Sequence, residues 1–284
     1  MKQAPHTFHH QDWVAVWQTM YDREREQAER IISAQSASHD CWAGQSTRFA
    51  KAAQRITQPD SFMRFLTPHL RATDTVLDVG AGTGRYEAFL AETVAYVYAV
   101  EPSTSMREQL TEHIKAAQID NVTVLDGLWP NIDVSPCDIS IAINVLYSVR
   151  EIEPFIRQMQ AKTRHACFIV LGFQHPASFI SPFWEQIHGE PRLPLPGAIE
   201  CFNVLHQLEI LANLTVIPRT SRFRFEHEQE ALTDLRWRLR VSREQVSDTI
   251  LLQAIAKYLD RDEHGHLWPR NQRQHVAVIW WTHR

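Results

Sequence analysis

Glycine is scarce in this chain, 9 of 284 residues, where about 7% is usual. Three of the nine nevertheless crowd together at Gly80, Gly82 and Gly84, which signals a backbone requirement at one place. Four cysteines, Cys41, Cys137, Cys167 and Cys201, show no CxxC or CxxH spacing. That excludes a disulfide framework or zinc knuckle and predicts buried free thiols. No run of about eighteen uncharged apolar residues occurs, so no membrane-spanning helix is expected. The opening MKQAPHTFHHQDW lacks the apolar stretch of a secretory signal, and a cytoplasmic location is the expectation. Neither sign of charge dominates: 29 basic against 33 acidic residues give a formal charge of -4. The whole chain therefore has no general attraction for nucleic acid or anionic lipid.

What is present is an ordinary globular composition, 44% hydrophobic and 22% charged. Before residue 72 the pattern is helical. Trp13, Val14, Trp17, Met20 and Tyr21 recur at helical spacing ahead of the charged run DREREQAER, and a second helix is predicted over Gln45 to Ile56. Residues 1–72 thus read as a helical cap. From Asp74 the text alternates. Apolar, β-branched runs at 75–80, 95–101, 121–127, 139–145 and 166–173 are separated by helical segments at 86–92, 105–117 and 152–162. This rhythm predicts right-handed βαβ crossovers and a doubly wound α/β sheet, mostly parallel.

Pro176, Pro182, Pro191, Pro194 and Pro196 prevent one continuous helix or central strand, so the stretch reads as an ordered loop or lid. Beyond it a helix is predicted over 198–213, a strand over 214–225, helices near 228–240 and 243–259, and a final strand over 275–281. The two late strands complete a seven-stranded sheet with an antiparallel edge. The expected domain spans 73–284, with an acceptor-side loop at 176–200 and a helical insertion at 226–262.

The strongest chemical signal is Val76-Leu77-Asp78-Val79-Gly80-Ala81-Gly82-Thr83-Gly84, a strand running through a glycine turn into a helix. Alternate glycines let the backbone turn sharply and approach a ligand, and the helix start offers free N–H groups. A nucleotide cofactor is expected there, at the carboxyl ends of the strands. The next strand ends at Glu101, a carboxylate suited to both hydroxyls of a ribose. The third ends at Asp126-Gly127, near where an adenine amino group would lie.

With an acidic residue before GxGxG, an acid closing the second strand and an Asp at the third, the chain resembles the class I S-adenosylmethionine-dependent methyltransferases. The resemblance covers roughly residues 73–175 and the late strands. It implies S-adenosylmethionine as cofactor, with the backbone at Gly80 and Gly82 lining the methionine moiety, Asp78 orienting its ammonium, and Ala81 and Gly84 also among the cofactor-binding residues. It further implies Glu101 on the ribose, Pro102, Ser103 and Met106 as the family's segment after the second strand with Met106 packing on the adenine face, Asp126 and Gly127 at the adenine amino edge, and Asn144 facing the sulfonium and acceptor.

Methyl transfer is an in-line displacement, so alignment matters most, and a base is needed only for some acceptors. Asn144, Tyr147 and His175 are the catalytic candidates, His175 as a general base. The stretch SPFWEQIHGEPRLPLP supplies Trp184, His188 and Arg192, beside Phe183, as an aromatic and cationic wall for a planar or anionic small molecule. Trp42, Arg48 and Phe49 form a second candidate wall. No metal is expected, since acids and imidazoles do not converge in a ligand spacing.

A small-molecule oxygen or nitrogen acceptor is therefore expected. RNA is the rival acceptor, because Arg219, Arg222, Phe223, Arg224, Phe225, Arg236, Trp237, Arg238, Arg240 and Arg243 form a basic, aromatic stretch. Glu226, Glu228, Glu230 and Asp234 interrupt it, and it reads as a solvated helix and strand face. Asn144-Val145-Leu146-Tyr147 lacks the two prolines of the amino-methylating DNA enzymes of this family. A non-catalytic cofactor-binding protein is the alternative of another class.

Overall fold

A computed structural model describes residues 11–31, 59–219, 224–270 and 274–283. Helix α1 (Trp13–Ile31) is followed by the short α2 (Ser61–Leu66), whose start is fixed by Asp60. The carboxylate of Asp60 accepts from the N–H groups of Phe62 and Met63 at 2.9 and 3.0 Å, an N-cap that propensity reading had not marked. Then come β1 (Thr75–Val79), α3 (Glu87–Thr93), β2 (Tyr96–Glu101), α4 (Thr104–Ala116), β3 (Val122–Asp126), β4 (Cys137–Ile143), α5 (Ile152–Ala161) and β5 (Thr163–Leu171). Four of the five β1 residues are buried, as expected of a strand covered on both faces.

The chain continues through α6 (Ser181–His188), α7 (Ala198–Gln207), β6 (Asn213–Pro218), α8 (Glu228–Leu239), α9 (Asp248–Tyr258), a ribbon of β7 (Leu259–Arg261) with β8 (Leu267–Pro269), and β9 (His275–Thr282). The main sheet has seven strands in the order β3-β2-β1-β4-β5-β9-β6. Strands β1 to β5 pair in parallel, and β9 is antiparallel to both β5 and β6. The doubly wound sheet with its late antiparallel pair is thus observed. Because β6 and β5 both oppose β9, β6 points the same way as the parallel strands, and its end reaches the same edge of the sheet. Strand order reverses between β1 and β4, which opens the crevice where such sheets bind ligands.

Several expected boundaries move for identifiable reasons. The helix foreseen over 198–213 ends at Gln207 because Glu209 takes a left-handed φ of 62°, which reverses the chain. The proline-rich loop contains a 3-10 turn at 176–180 and helix α6. Pro176 and Pro182 occupy first-turn positions, where a missing N–H costs nothing, so they start elements instead of preventing them. The strand foreseen over 214–225 stops at Pro218. The helix predicted over Gln45 to Ile56, with Cys41, Trp42, Arg48 and Phe49, lies outside the described residues. Cys137, Cys167 and Cys201 are buried free thiols, and burial pushes the first two up to about 11 and about 12. No helix among the described residues is long and apolar enough to cross a membrane.

Two cores matter for the site. One packs α5, α7 and the apolar stripe of α1 against one face of the sheet. The other joins α6, α8 and α9 through Phe183, Trp184, Leu235 and Ile255. Trp17 anchors α1: its ring is fully buried and its Nε1 donates to the carbonyl of Val149 at 2.7 Å. Arg150, next in the chain, clasps Asp22 of α1 through Nε and Nη2 at 2.7 and 2.8 Å. Replacing Trp17 with Ala removes a fully buried ring and a hydrogen bond, and is expected to cost about 3–5 kcal/mol. Urea unfolding should show that loss, with α1 becoming the first site of proteolytic cleavage.

Candidate active site

After β1 the chain turns with φ of 79°, 62° and 86° at Gly80, Gly82 and Gly84. A Cβ at Gly80 would come within 2.5 Å of Val145 Cγ2, and one at Gly84 within 2.6 Å of Leu110 Cδ1, so packing as well as backbone angle excludes a side chain there. Gly82 differs, because a Cβ would meet no described atom within 4 Å. Its missing side chain opens a cradle. The turn is tied to β2 by the N–H groups of Gly80 and Ala81, which both donate to Val100 O at 2.7 and 3.1 Å. Glu101 closes the rim: Oε2 accepts from Gly82 N–H at 2.9 Å and Oε1 from Ser103 N–H at 2.8 Å.

Beneath the turn lie two more buried acids, Asp78 and Glu87. Burial, then the neighbouring Glu87 and Glu101, hold the Asp78 carboxyl well above the usual carboxylate range. Burial likewise lifts Glu87 to about 7. Glu87 Oε2 accepts from Tyr86 N–H at 3.1 Å, while Oε1 is buried with no ordinary donor among the described residues. Asp78, whose carboxyl burial keeps protonated, hydrogen-bonds to Glu87, so the two acids share a proton. Three buried acids around a cradle suit a cation-bearing ligand, and S-adenosylmethionine carries a sulfonium and an ammonium.

Around this centre, Arg85 and Tyr86 both reach the second oxygen of Asp60, at 2.8 and 3.0 Å, locking α2 against the glycine turn. Asp126 stands level with Glu101 in the β2–β3 register and is exposed. Arg107 spans the two strand tips, donating to Asp126 Oδ2 at 2.8 Å and to the carbonyls of Glu101 and Pro102 at 2.9 and 2.7 Å. Sequence reading missed Arg107, although its place one turn into α4 puts it over those tips. Gly127 is small because a Cβ would lie 2.6 Å from Ile132 Cδ1. Met106 is buried beside Ser103, and Pro102 is exposed.

Among the acceptor-side candidates, Asn144 is exposed at the end of β4 and holds a left-handed φ of 58°, an unusual angle for a residue with a side chain. Tyr147 is revised as a catalytic candidate. Its buried hydroxyl accepts from Gly172 N–H at 2.6 Å, and burial pushes the phenol far up. It staples the end of β4 to the end of β5. His175 is also revised. Its Nδ1 accepts from Ala177 N–H at 3.0 Å, so the neutral ring carries its proton on Nε2 and presents a donor where a general base was expected. Burial, with the fields of Arg192, Arg238 and Arg219, pulls its pKa down to about 3.

Trp184 and His188 are corrected as acceptor contacts. Trp184 faces the core shared by α6, α8 and α9, with only 2% of its surface exposed, and His188 Nε2 donates to Leu239 O at 2.9 Å, fastening α6 to α8. The amphipathic geometry of α6, not the composition of the stretch, decides which face packs inward. Arg192 pairs with Glu24 at 2.8 Å and lies 5.8 Å from the Trp184 ring centroid. Trp42 lies outside the described residues. The basic stretch is not one solvated face: Arg236 pairs with Asp248 at 2.5 Å and Arg238 with buried Asp234 at 2.6 Å, both guanidiniums largely covered. Arg222 and Phe223 lie outside the described residues.

A parallel sheet whose glycine turn and carboxylate-tipped second strand meet beside the strand-order reversal defines a Rossmann-like nucleotide-binding domain. Residues 76–165 match the model of a family described as a methyltransferase domain. An uncharacterized protein of Haemophilus influenzae is 24% identical over 217 residues, 75% of this chain and 78% of that one. A protein-L-isoaspartate O-methyltransferase of Ignicoccus hospitalis is 38% identical over 80 residues, 27% of this chain and only 38% of the relative. Among solved structures, the YcgJ protein of a Bacillus superposes with a TM-score of 0.51 at 12% identity, covering 84% of this chain and 97% of the other. Residues 76–165 thus match a methyltransferase domain, and the chain has the Rossmann-like fold of the class I S-adenosylmethionine-dependent methyltransferases.

The buried acid pair carries a stability signature. Glu87 titrates at about 7 in the folded protein against 4.5 as a free side chain. Between those values the folded protein keeps a proton that the unfolded chain has lost, so the pair's contribution falls as pH rises through that window. In the absence of cofactor, Glu87→Gln is expected to flatten this fall and to raise Tm above the wild-type value once pH exceeds 7. Thermal melts across the window measure it, and parallel wild-type and variant curves would rule out the shared proton.

Proposed function

We propose that this methyltransferase acts on a small-molecule oxygen or nitrogen acceptor. The observation that carries the reading is the pairing of the basic residues in the carboxyl third. Arg224, Arg236, Arg238 and Arg243 each engage an acid, Glu226, Asp248, Asp234 and again Asp248. Four of the six described arginines of that stretch are thus neutralised, whereas RNA binding draws most of its affinity from many unpaired cations along a phosphate backbone. The chain's net charge of -4 agrees. The name of the isoaspartate enzyme does not carry its acceptor across, since the likeness spans 80 residues.

In this reading the cofactor supplies an electrophilic methyl group on a sulfonium. The chain's own residues bind and align: Gly82 leaves the cradle open, Glu101 offers its remaining lone pairs to the ribose hydroxyls, and Asp78 with Glu87 provides a negative site for the cationic moiety. Met106 and Asp126 would flank the adenine, and Asn144 would stand at the edge where acceptor and methyl group meet. In-line displacement needs this alignment more than it needs a base. An acceptor hydroxyl or amine loses its proton to solvent or cofactor-side groups without a protein imidazole, because His175 presents a donor.

Calorimetric titration with S-adenosylmethionine, S-adenosylhomocysteine and NAD in parallel should give heat with the first two only. Gly82→Arg fills the cradle and should abolish binding, and Glu101→Ala should weaken it about tenfold or more. Unchanged affinity in both variants would remove the site from this turn. To test the acceptor, the protein is incubated with methyl-tritiated cofactor and a cell extract. After unreacted cofactor, a cation, is removed on a cation-exchange resin, label is expected in the filtrate of low molecular mass; label in RNA would establish the rival acceptor, and bound cofactor with no label in either fraction would mean a non-catalytic binder.

A further inference from the structure

Arg219 follows the last residue of β6, and its N–H donates to Gln274 O at 2.7 Å. Since β6 points the same way as β5, this residue emerges at the edge of the sheet that also carries the glycine turn. A Cβ built on Gly172, just past the end of β5, would lie 3.3 Å from Arg219 Nη2 and 3.1 Å from Tyr147 Oη. The guanidinium therefore sits against the backbone at the end of β5, beside the Tyr147 staple. Tyr147 in turn belongs to the segment whose Val145 packs on Gly80. A short run of contacts thus links the cofactor turn to Arg219.

Three neighbouring cations are matched by carboxylates. Arg85 pairs with Asp60, Arg192 with Glu24 and Arg238 with Asp234. Arg219 has no carboxylate within ion-pair distance among the described residues, and its Nε is buried without a hydrogen-bond partner. Desolvation and the nearby charge of Arg85 both disfavour its charged form. A half-buried guanidinium with an unused Nε–Nη edge is costly unless an oxyanion arrives, and that planar edge fits a carboxylate or phosphate with two parallel hydrogen bonds. His175, whose ring centroid lies 4.7 Å from that of Tyr147, carries a second N–H donor close by.

We propose that the methyl acceptor carries a carboxylate or phosphate that does not itself react, and that Arg219 holds this oxyanion at the end of β5 beside Gly172 and Tyr147. The inference rests on the small-molecule reading above and adds the charge class of the acceptor. The anchor sits at the end of β5, two strands from the β1 that feeds the glycine turn, so the anchored oxyanion is not the group that takes the methyl.

The test uses the full chain saturated with S-adenosylhomocysteine. The side-chain Nε–H resonance of Arg219, assigned through bonds from its own amide in the wild-type protein, is followed during titration with inorganic phosphate, with benzoate, and with chloride at equal ionic strength. A saturable shift with phosphate or with benzoate, absent with chloride, is expected, and the stronger arm identifies the oxyanion. Arg219→Lys should weaken that anion about tenfold or more while leaving S-adenosylhomocysteine affinity unchanged.

The wild-type titration decides the matter even if the variant is unstable, and shifts that are equal for all three anions, or absent, would overturn the anchor. In the labelling experiment, the tritiated product should be retained on an anion-exchange resin at neutral pH, and a neutral or cationic product would overturn the charge class. Failure of S-adenosylhomocysteine to bind would instead count against the cofactor site, which the calorimetry reads separately.

Discussion

Three left-handed backbone angles within five residues, at Gly80, Gly82 and Gly84, bend the chain from β1 into α3, and much of the site's geometry follows from that bend. It aims the N–H of Gly82 at Glu101, brings Gly80 against Val145 and sets Gly84 over Leu110 of α4. One strand tip, one neighbouring strand and two helices are thereby referred to a single turn. L-residues with side chains resist those angles, which explains why a chain so poor in glycine concentrates it here.

The buried acids and the His175-side cations of the site lie at different places along the sheet edge. Asp78, Glu87 and Glu101 gather under the glycine turn at the centre of the sheet, while Arg192, Arg219 and Arg238 surround His175 toward its β6 side. Burial disfavours charge in both groups, but the charge that remains is less screened than it would be in water. A positively charged cofactor and a negatively charged acceptor would each find the half of the edge that complements it. The two reactants would then be oriented by charge before any specific hydrogen bond forms.

The sheet and the cofactor turn were legible because their causes are local. Alternating apolar runs and helical periods announce βαβ units, and the glycines of the turn sit within five residues of one another. Glu87 escaped notice because nothing in its neighbours marks an ordinary helical glutamate as buried against Asp78. Arg219 was read only as one member of a basic stretch, since its position depends on the pairing of β6 with β9 and of β9 with β5. His175 was found but given the wrong role: its tautomer is decided by an N–H two residues on, in a turn that Pro176 initiates. Trp184 and His188 were misassigned because composition does not reveal which face of α6 meets α8.

Strand β6 is paired on one side only, at the margin of the sheet, whereas β1, which feeds the glycine turn, is flanked by β2 and β4. Substitutions at the margin disturb one ladder; substitutions at β1 disturb two. A lineage could therefore revise which acid it recognises by exchanging the residue at the end of β6, leaving the methyl-donor apparatus intact, so that divergence among relatives should concentrate on that flank.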